Sequence, residues 1–164
     1  MNGGGGALVI GVGRPGFGDD ALGLTAARAL EPRLTGAVRV VADGTGLAAL
    51  SAVEGEELLV LIDAAESGAG LPAGQWRRLR YPQDAPAFAD SHLRTTHTLA
   101  VDSALAVAAA LGRLPDEVWV YALAGERFAP ETSLSAPVSA ALCRFVEEIE
   151  ADVRNWLARR LPIA

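Results

Sequence analysis

The stretch Ala7-Leu8-Val9-Ile10-Gly11-Val12-Gly13-Arg14-Pro15-Gly16-Phe17-Gly18-Asp19-Asp20-Ala21-Leu22-Gly23 decides the fold class. Ala7 to Val12 is a continuous apolar run that closes on glycine, the mark of a buried strand feeding a loop. From Asp20 the spacing turns helical, with Leu22, Ala26, Ala29 or Leu30, and Leu34 on one side and Pro32 near the end. Strand, loop and helix therefore follow in order, the first half of a parallel strand-helix-strand unit.

The alternation continues along the chain. Val38 to Val41 reads as a second short strand, and Gly46 to Val53 as a short helix. Leu58 to Ile62 is apolar on both faces, which predicts a central strand ending at Asp63. Gly68 to Pro86 is rich in Gly and Pro and carries Trp76, Leu79 and Tyr81, as a loop with an edge strand would. Thr95 or Thr96 caps a helix running to about Leu111, with Gly112 as its stop, and Val118 to Leu123 follows as another strand. Ser135 opens a last helix with Pro137 in its first turn, and Val138, Leu142, Phe145, Ile149, Val153 and Trp156 or Leu157 recur every three or four residues. The expectation is an α/β fold of three layers, α/β/α, with a mostly parallel twisted sheet covered by helices on both faces.

At 164 residues the chain fits one domain, 1–164, with residues 1–6 as a flexible glycine-rich lead. Apolar residues make up 51% and charged residues 21%, a globular composition and not a disordered one. A net charge of −6 with only the small Arg77, Arg78 and Arg80 group argues against a nucleic-acid partner, because phosphate binding needs a dense basic face. The start of the chain has neither a basic region nor an apolar stretch long enough for a signal peptide or a membrane span. The lone Cys143 has no disulfide partner, which suits a reducing compartment, so a cytoplasmic protein without membrane insertion is expected. Its place in an apolar helical pattern reads as a small core residue.

Chemistry gathers where the strands end, since ligands of open α/β sheets collect at the carboxyl ends. The Gly11 to Gly16 loop invites a nucleotide, but Asp19 and Asp20 follow it and would repel a phosphate. One of these acids can cap the coming helix, which leaves the other on the rim where Asp63 also emerges. Asp63 reads equally as a turn former or a ligand. His97 falls at a helix N-terminus, whose dipole disfavours the imidazolium and keeps the neutral, metal-binding form available. Two carboxylates and an imidazole make a set suited to a divalent transition metal, with coordination positions left open. His92, in a polar loop stretch, is the contrasting histidine with no assigned part.

These segments resemble the hydrogenase maturation endopeptidases. The family's Gly-x-Gly-Asn loop, acid pair, spacer and Gly are matched by Gly11-Val12-Gly13-Arg14 and Asp19-Asp20-Ala21-Leu22-Gly23. Its strand ending in Asp-Ala is matched by Leu61-Ile62-Asp63-Ala64, its Ser/Thr-x-His segment by Thr95-Thr96-His97, and its last strand and loop by Val120 to Glu126 with Leu134-Ser135. Three departures lie near the expected cleft: Arg14 in place of Asn, a shortened Asp43-Gly44-Thr45-Gly46, and Ala124-Gly125-Glu126.

The resemblance implies an endopeptidase that trims the C-terminal extension of a nickel-loaded NiFe-hydrogenase large-subunit precursor. It places the metal contacts on Asp20, Asp63 and His97, with nickel carried by the substrate and no nucleotide. Asp20 and Asp63 are then the catalytic candidates, with water activated by a carboxylate or by the metal. Arg14, Asp43 and Glu126 would line the substrate cleft, although Asp43 before Gly44 also suits a plain turn. Arg14 has two readings: it pairs with Asp20 or Asp63 in the metal position, or it meets an acidic substrate tail. Two rivals come from other classes: a metallocentre checkpoint or chaperone that binds the precursor without cleaving it, and a small-molecule enzyme holding a nucleotide on the Gly11 to Gly16 loop.

Overall fold

A computed structural model describes residues 5–42, 50–89 and 98–160, and in it the apolar runs pair into one five-stranded sheet. The strands are β1 (Ala7–Gly11), β2 (Val38–Ala42), β3 (Leu58–Glu66), β4 (Trp76–Tyr81) and β5 (Glu117–Gly125), in the spatial order β2-β1-β3-β5-β4. All neighbours run parallel except β4, which pairs antiparallel along the outer side of β5. As an edge strand, β4 carries exposed Arg77, Arg78 and Arg80, charges that discourage a further strand from adding there. The strand with two apolar faces, β3, is the middle one, as its sequence predicts.

The helices are α1 (Leu22–Leu30), α2 (Ala85–Ala89), α3 (Thr98–Ala110) and α4 (Ala136–Ala158). Side chains alternate across each strand, so the sheet has two apolar faces to cover. Val9, Val60, Ile62, Tyr121 and Leu123 pack with Leu22, Ala26 and Leu30 of α1 and with Val138, Phe145, Ile149, Val153 and Trp156 of α4. On the other face Leu8, Ile10, Leu59, Leu61, Val118 and Val120 pack with Val101 and Leu105 of α3, flanked by Leu50, Ala52 and Val53. The three-layer α/β/α architecture follows.

On α4, Phe145 is sealed edge-on between Trp76 and Tyr121, at ring-centroid distances of 5.5 and 6.2 Å. The Tyr121 hydroxyl donates to Asp152 at 2.6 Å, and Arg78 pairs with the same carboxylate at 3.1 Å. Burial pushes the Tyr121 phenol far above its ordinary range, and the Asp152 carboxylate adds to the shift. Cys143 corrects the expectation of a core residue: it is exposed, because the buried stripe of α4 runs through Val138, Phe145, Val146 and Ile149 and passes it by.

The strand order places the crevice. The connection leaving β1 runs through α1 on the first face to β2, whereas the chain leaving β3 passes through β4 and α3, which covers the second face, before returning as β5 on the other side of β3. Two connections that depart to opposite faces leave an opening between the carboxyl ends of β1 and β3. Two boundaries differ from expectation there. Residues 18–21 form a 3₁₀ turn, so α1 begins at Leu22 and not Asp20. β3 does not stop at Asp63, because β5 is as long and keeps pairing with it as far as Glu66 opposite Gly125. β1, by contrast, ends at Gly11 opposite Ile62. Asp63 is therefore the first residue of β3 beyond the end of its neighbour. Of the short helix expected over 46–53, the part before Leu50 lies outside the described residues, as do Thr95 and Thr96.

No helix of the described residues is long and apolar enough to cross a membrane. At the other end of the glycine lead, the Gly6 carbonyl accepts the N–H of Glu57 at 2.9 Å, which ties it to the foot of β3.

Two glycines seat α1 on this rim. A Cβ on Gly23 would lie 2.2 Å from the Val12 carbonyl oxygen and 2.4 Å from that of Ile62, and one on Gly11 would lie 2.1 Å from the Gly23 carbonyl oxygen. Backbone therefore meets backbone, with no room for a side chain. Alanine ordinarily favours a helix over glycine by up to about 1 kcal/mol, but here overpacking opposes it with about 3 kcal/mol, since neither obstructing atom is a flexible side chain. The net loss of about 2 kcal/mol is expected to lower the melting temperature of Gly23→Ala by roughly 4–8 °C, measured by thermal denaturation; an unchanged or higher value would refute the close seating of α1.

Candidate functional site

The two adjacent acids of the 3₁₀ turn are both fully buried, yet they are used in opposite ways. Asp19 turns away from its own helix. Its Oδ2 accepts the backbone N–H groups of Glu126 at 2.8 Å and Arg127 at 3.0 Å, and its Oδ1 accepts that of Ser135 at 2.7 Å. Its own N–H donates to the Arg127 carbonyl at 2.7 Å, while Gly18 N–H donates to Thr132. The turn after β1 is thus stitched to the loop after β5, and Gly125 leaves the space: a Cβ there would lie 2.5 Å from the Asp19 Cβ. The expectation that one acid caps α1 is corrected, since Ala21 holds the N-cap position with no side-chain cap. The loop after β5 offers three orphan N–H donors at once, and a carboxylate gains more from three than from one.

With Asp19 committed to the backbone, Asp20 is the acid left for the rim. Arg14 reaches it through Nε, which donates to Oδ2 at 2.7 Å, and the guanidinium lies over the Phe17 ring with its carbon 4.3 Å from the centroid. Of the two readings of Arg14, the structure selects pairing with Asp20. The exposure of the partners is unequal: 46% for the Arg14 side chain and 0% for Asp20.

Asp63 stands on the neighbouring strand, 3% exposed, with Oδ1 accepting the N–H of Ala64 at 2.8 Å. Val12 N–H donates to the carbonyl of Ile62 at 2.9 Å, and Arg14 N–H to the carbonyl of Asp20 at 3.2 Å. The chain at Asp20 is thereby held over the end of β1 and that at Asp63 on the adjoining step of β3, on either side of the opening. Asp63 shares the second face of the sheet with Leu61 and Ala65, the face that α3 covers from Thr98 onward.

Asp43, His92 and His97 lie outside the described residues. Among the described residues, which include only two of the three expected contacts, no three His, Cys, Asp or Glu side chains form a metal-holding group. What is described fits a cation. Two buried carboxylates border one opening, and a positively charged guanidinium already rests on one of them. A phosphate finds less: Arg14 N–H is spent on Asp20, and a Cβ on Gly13 would lie 1.9 Å from the Asp20 carbonyl oxygen, so the loop is closed against its own turn. Glu126 has an exposed side chain and gives its backbone N–H to Asp19. The service of Asp19 to the loop after β5, and of Phe17 as a platform beneath Arg14, could not be read from the sequence, where the doubled acid was the one available sign.

Comparison with known proteins gives the family and the fold. The sequence profile of the HycI hydrogenase maturation proteases matches residues 25–152. Among solved structures, the hydrogenase maturating endopeptidase HybD from E. coli superposes with a TM-score of 0.78 at 24% identity, over 92% of this chain and 93% of that one. An endopeptidase from Escherichia coli solved in solution gives 0.79 at 25% identity, with the same coverage. The NiFe hydrogenase maturation protease HybD from Thermococcus kodakarensis gives 0.76 at 25% identity, over 90% of this chain and 99% of that one. No curated protein sequence gives a significant match.

The division of labour between the two acids can be tested by stability. Asp19→Ala strands three backbone donors, at about 1–3 kcal/mol each where water cannot replace the carboxylate. A loss of about 3 kcal/mol or more is expected in urea denaturation, with Asp19→Asn intermediate because its amide retains one acceptor oxygen. Equal stability of Asp19→Ala and the parent would overturn the structural role.

Proposed function

The chain belongs to the hydrogenase maturation protease family, and from that membership we propose that it removes the C-terminal extension of a nickel-loaded NiFe-hydrogenase large-subunit precursor. The observation that carries the proposal is the pair of buried carboxylates, Asp20 and Asp63, on either side of the crevice where the order of strands reverses. The nickel belongs to the substrate. It docks against Asp20, Asp63 and His97, an oxygen- and nitrogen-donor set suited to a borderline divalent metal. A precursor lacking nickel offers these residues nothing to hold, so the contact distinguishes loaded from empty substrate by differential affinity.

Binding the metal end of the precursor carries the scissile peptide along the cleft, where Arg14, Asp43 and Glu126 line the approach. Hydrolysis requires water to add to the peptide carbonyl carbon while a base takes its proton, which then passes to the departing amine nitrogen. The Asp20 and Asp63 carboxylates are the bases assigned to that step. Holding both reactants against one rigid sheet edge supplies the orientation the reaction needs. The lone exposed Cys143 and the lack of a membrane-crossing helix in the described residues suit a protein working in the cytoplasm.

The test is intact-mass spectrometry of a large-subunit precursor from the same organism, with and without nickel, after incubation with the protein. Loss of one C-terminal peptide only from the nickel-loaded precursor is expected. Asp20→Asn and His97→Ala should each slow that loss by about a hundredfold or more through misplacement of the substrate, with unchanged circular dichroism, whereas His92→Ala should process normally. Full processing by both site variants would overturn the assignment. Nickel-dependent association without any mass loss would instead identify a checkpoint that binds the precursor and does not cut it.

A further inference from the structure

We propose that Arg14 is a displaceable blocking group: its guanidinium occupies the Asp20 carboxylate in the resting protein and must swing away before a divalent cation can bind there. This inference rests on the reading of Asp20 as a metal contact. It concerns a residue that does not itself touch the metal.

The two partners of the ion pair are not equally held. Asp20 is fully buried, in a turn stitched by Asp19 to the loop after β5 and with its carbonyl accepting Arg14 N–H. Arg14 reaches it through a single side-chain hydrogen bond, from Nε, and is nearly half exposed. Its two Nη groups make no hydrogen bond among the described residues, although a guanidinium can bind a carboxylate in a two-pronged fork. When the pair separates, Arg14 is therefore the member that moves. The Phe17 ring beneath it supplies a resting surface and holds the guanidinium near the carboxylate without fixing it there.

A guanidinium on Oδ2 and a divalent cation on that same oxygen exclude each other, through shared space and like charge. Free metal must therefore compete with Arg14, which weakens binding by the strength of one charge-assisted hydrogen bond. A nickel centre delivered on a docked precursor competes better, because the rest of the precursor interface contributes to the displacement. The device thus selects against stray cations in favour of metal presented on a protein.

Isothermal titration calorimetry with nickel(II) chloride on the full chain tests this. The protein, Arg14→Gln, Arg14→Lys and Asp20→Asn are compared, with circular dichroism establishing that each is folded. Arg14→Gln is expected to bind nickel about tenfold or more tightly than the parent, the effect of deleting one charge-assisted hydrogen bond. Arg14→Lys should stay near the parent, since it keeps the competing charge, and Asp20→Asn should lose binding. Equal affinity of the parent and Arg14→Gln, with binding lost in Asp20→Asn, would overturn the blocking role and leave the metal site standing. Nickel affinity unaffected by Asp20→Asn, or no binding by any of the four, would overturn both.

Discussion

The carboxylate of Asp19 is the interaction on which the rest of the site depends. Buried completely, it accepts three backbone N–H groups from a loop 107 residues further along the chain. That bond set, with the backbone bonds from Gly18 and Asp19 to Thr132 and Arg127, fixes the turn after β1 against the end of β5 and the start of α4. It also satisfies donors that would be left without partners at a buried helix entrance, where each would cost about 1–3 kcal/mol. Because Asp19 is consumed in this way, the neighbouring Asp20 is the acid of the pair that meets Arg14. Two identical side chains on adjacent residues thus meet different partners, a distant loop for Asp19 and Arg14 for Asp20.

The position of the site follows from topology and close packing together. Parallel strands need crossovers, and the reversal between β1 and β3 sends those crossovers to opposite faces. α1 is seated closely on this rim, with Gly23 against the carbonyls of Val12 and Ile62 at distances no side chain would permit. Asp20 just before α1 and Asp63 just past Ile62 then border the same gap. The longer β3 contributes as well: it outruns β1, so Asp63 is held by β5 on one side and faces the gap on the other.

Electrostatics at this rim run against the overall character of the chain. A protein of net charge −6 places a guanidinium on its buried Asp20 and an aromatic ring beneath that guanidinium. Elsewhere arginine does other work: Arg78 bridges β4 to Asp152 on α4, and the exposed arginines of β4 guard its free edge. Arg14 and Arg78 each give one hydrogen bond to a carboxylate and lie over an aromatic ring; they differ in the carboxylate, which is fully buried for Asp20 and partly exposed for Asp152.

The sequence by itself determined the class of fold, because hydrophobic period is a local property: apolar runs alternating with helical spacing admit little besides a parallel sheet between helices. It also marked β3 as central, through its two apolar faces, and Ser135 with Pro137 as the start of α4. Asp20, Asp63 and Arg14 could be named from the resemblance of their segments to a known family. Only the tertiary structure decided which acid of the pair serves the scaffold, since the donors that claim Asp19 come from the far end of the chain. It alone set α1 to begin at Leu22, carried β3 past Asp63 by pairing with an equally long β5, reversed β4, and turned Cys143 outward. Each of these outcomes rests on a partner distant in sequence, and such a partner leaves no periodic trace in the residues that meet it.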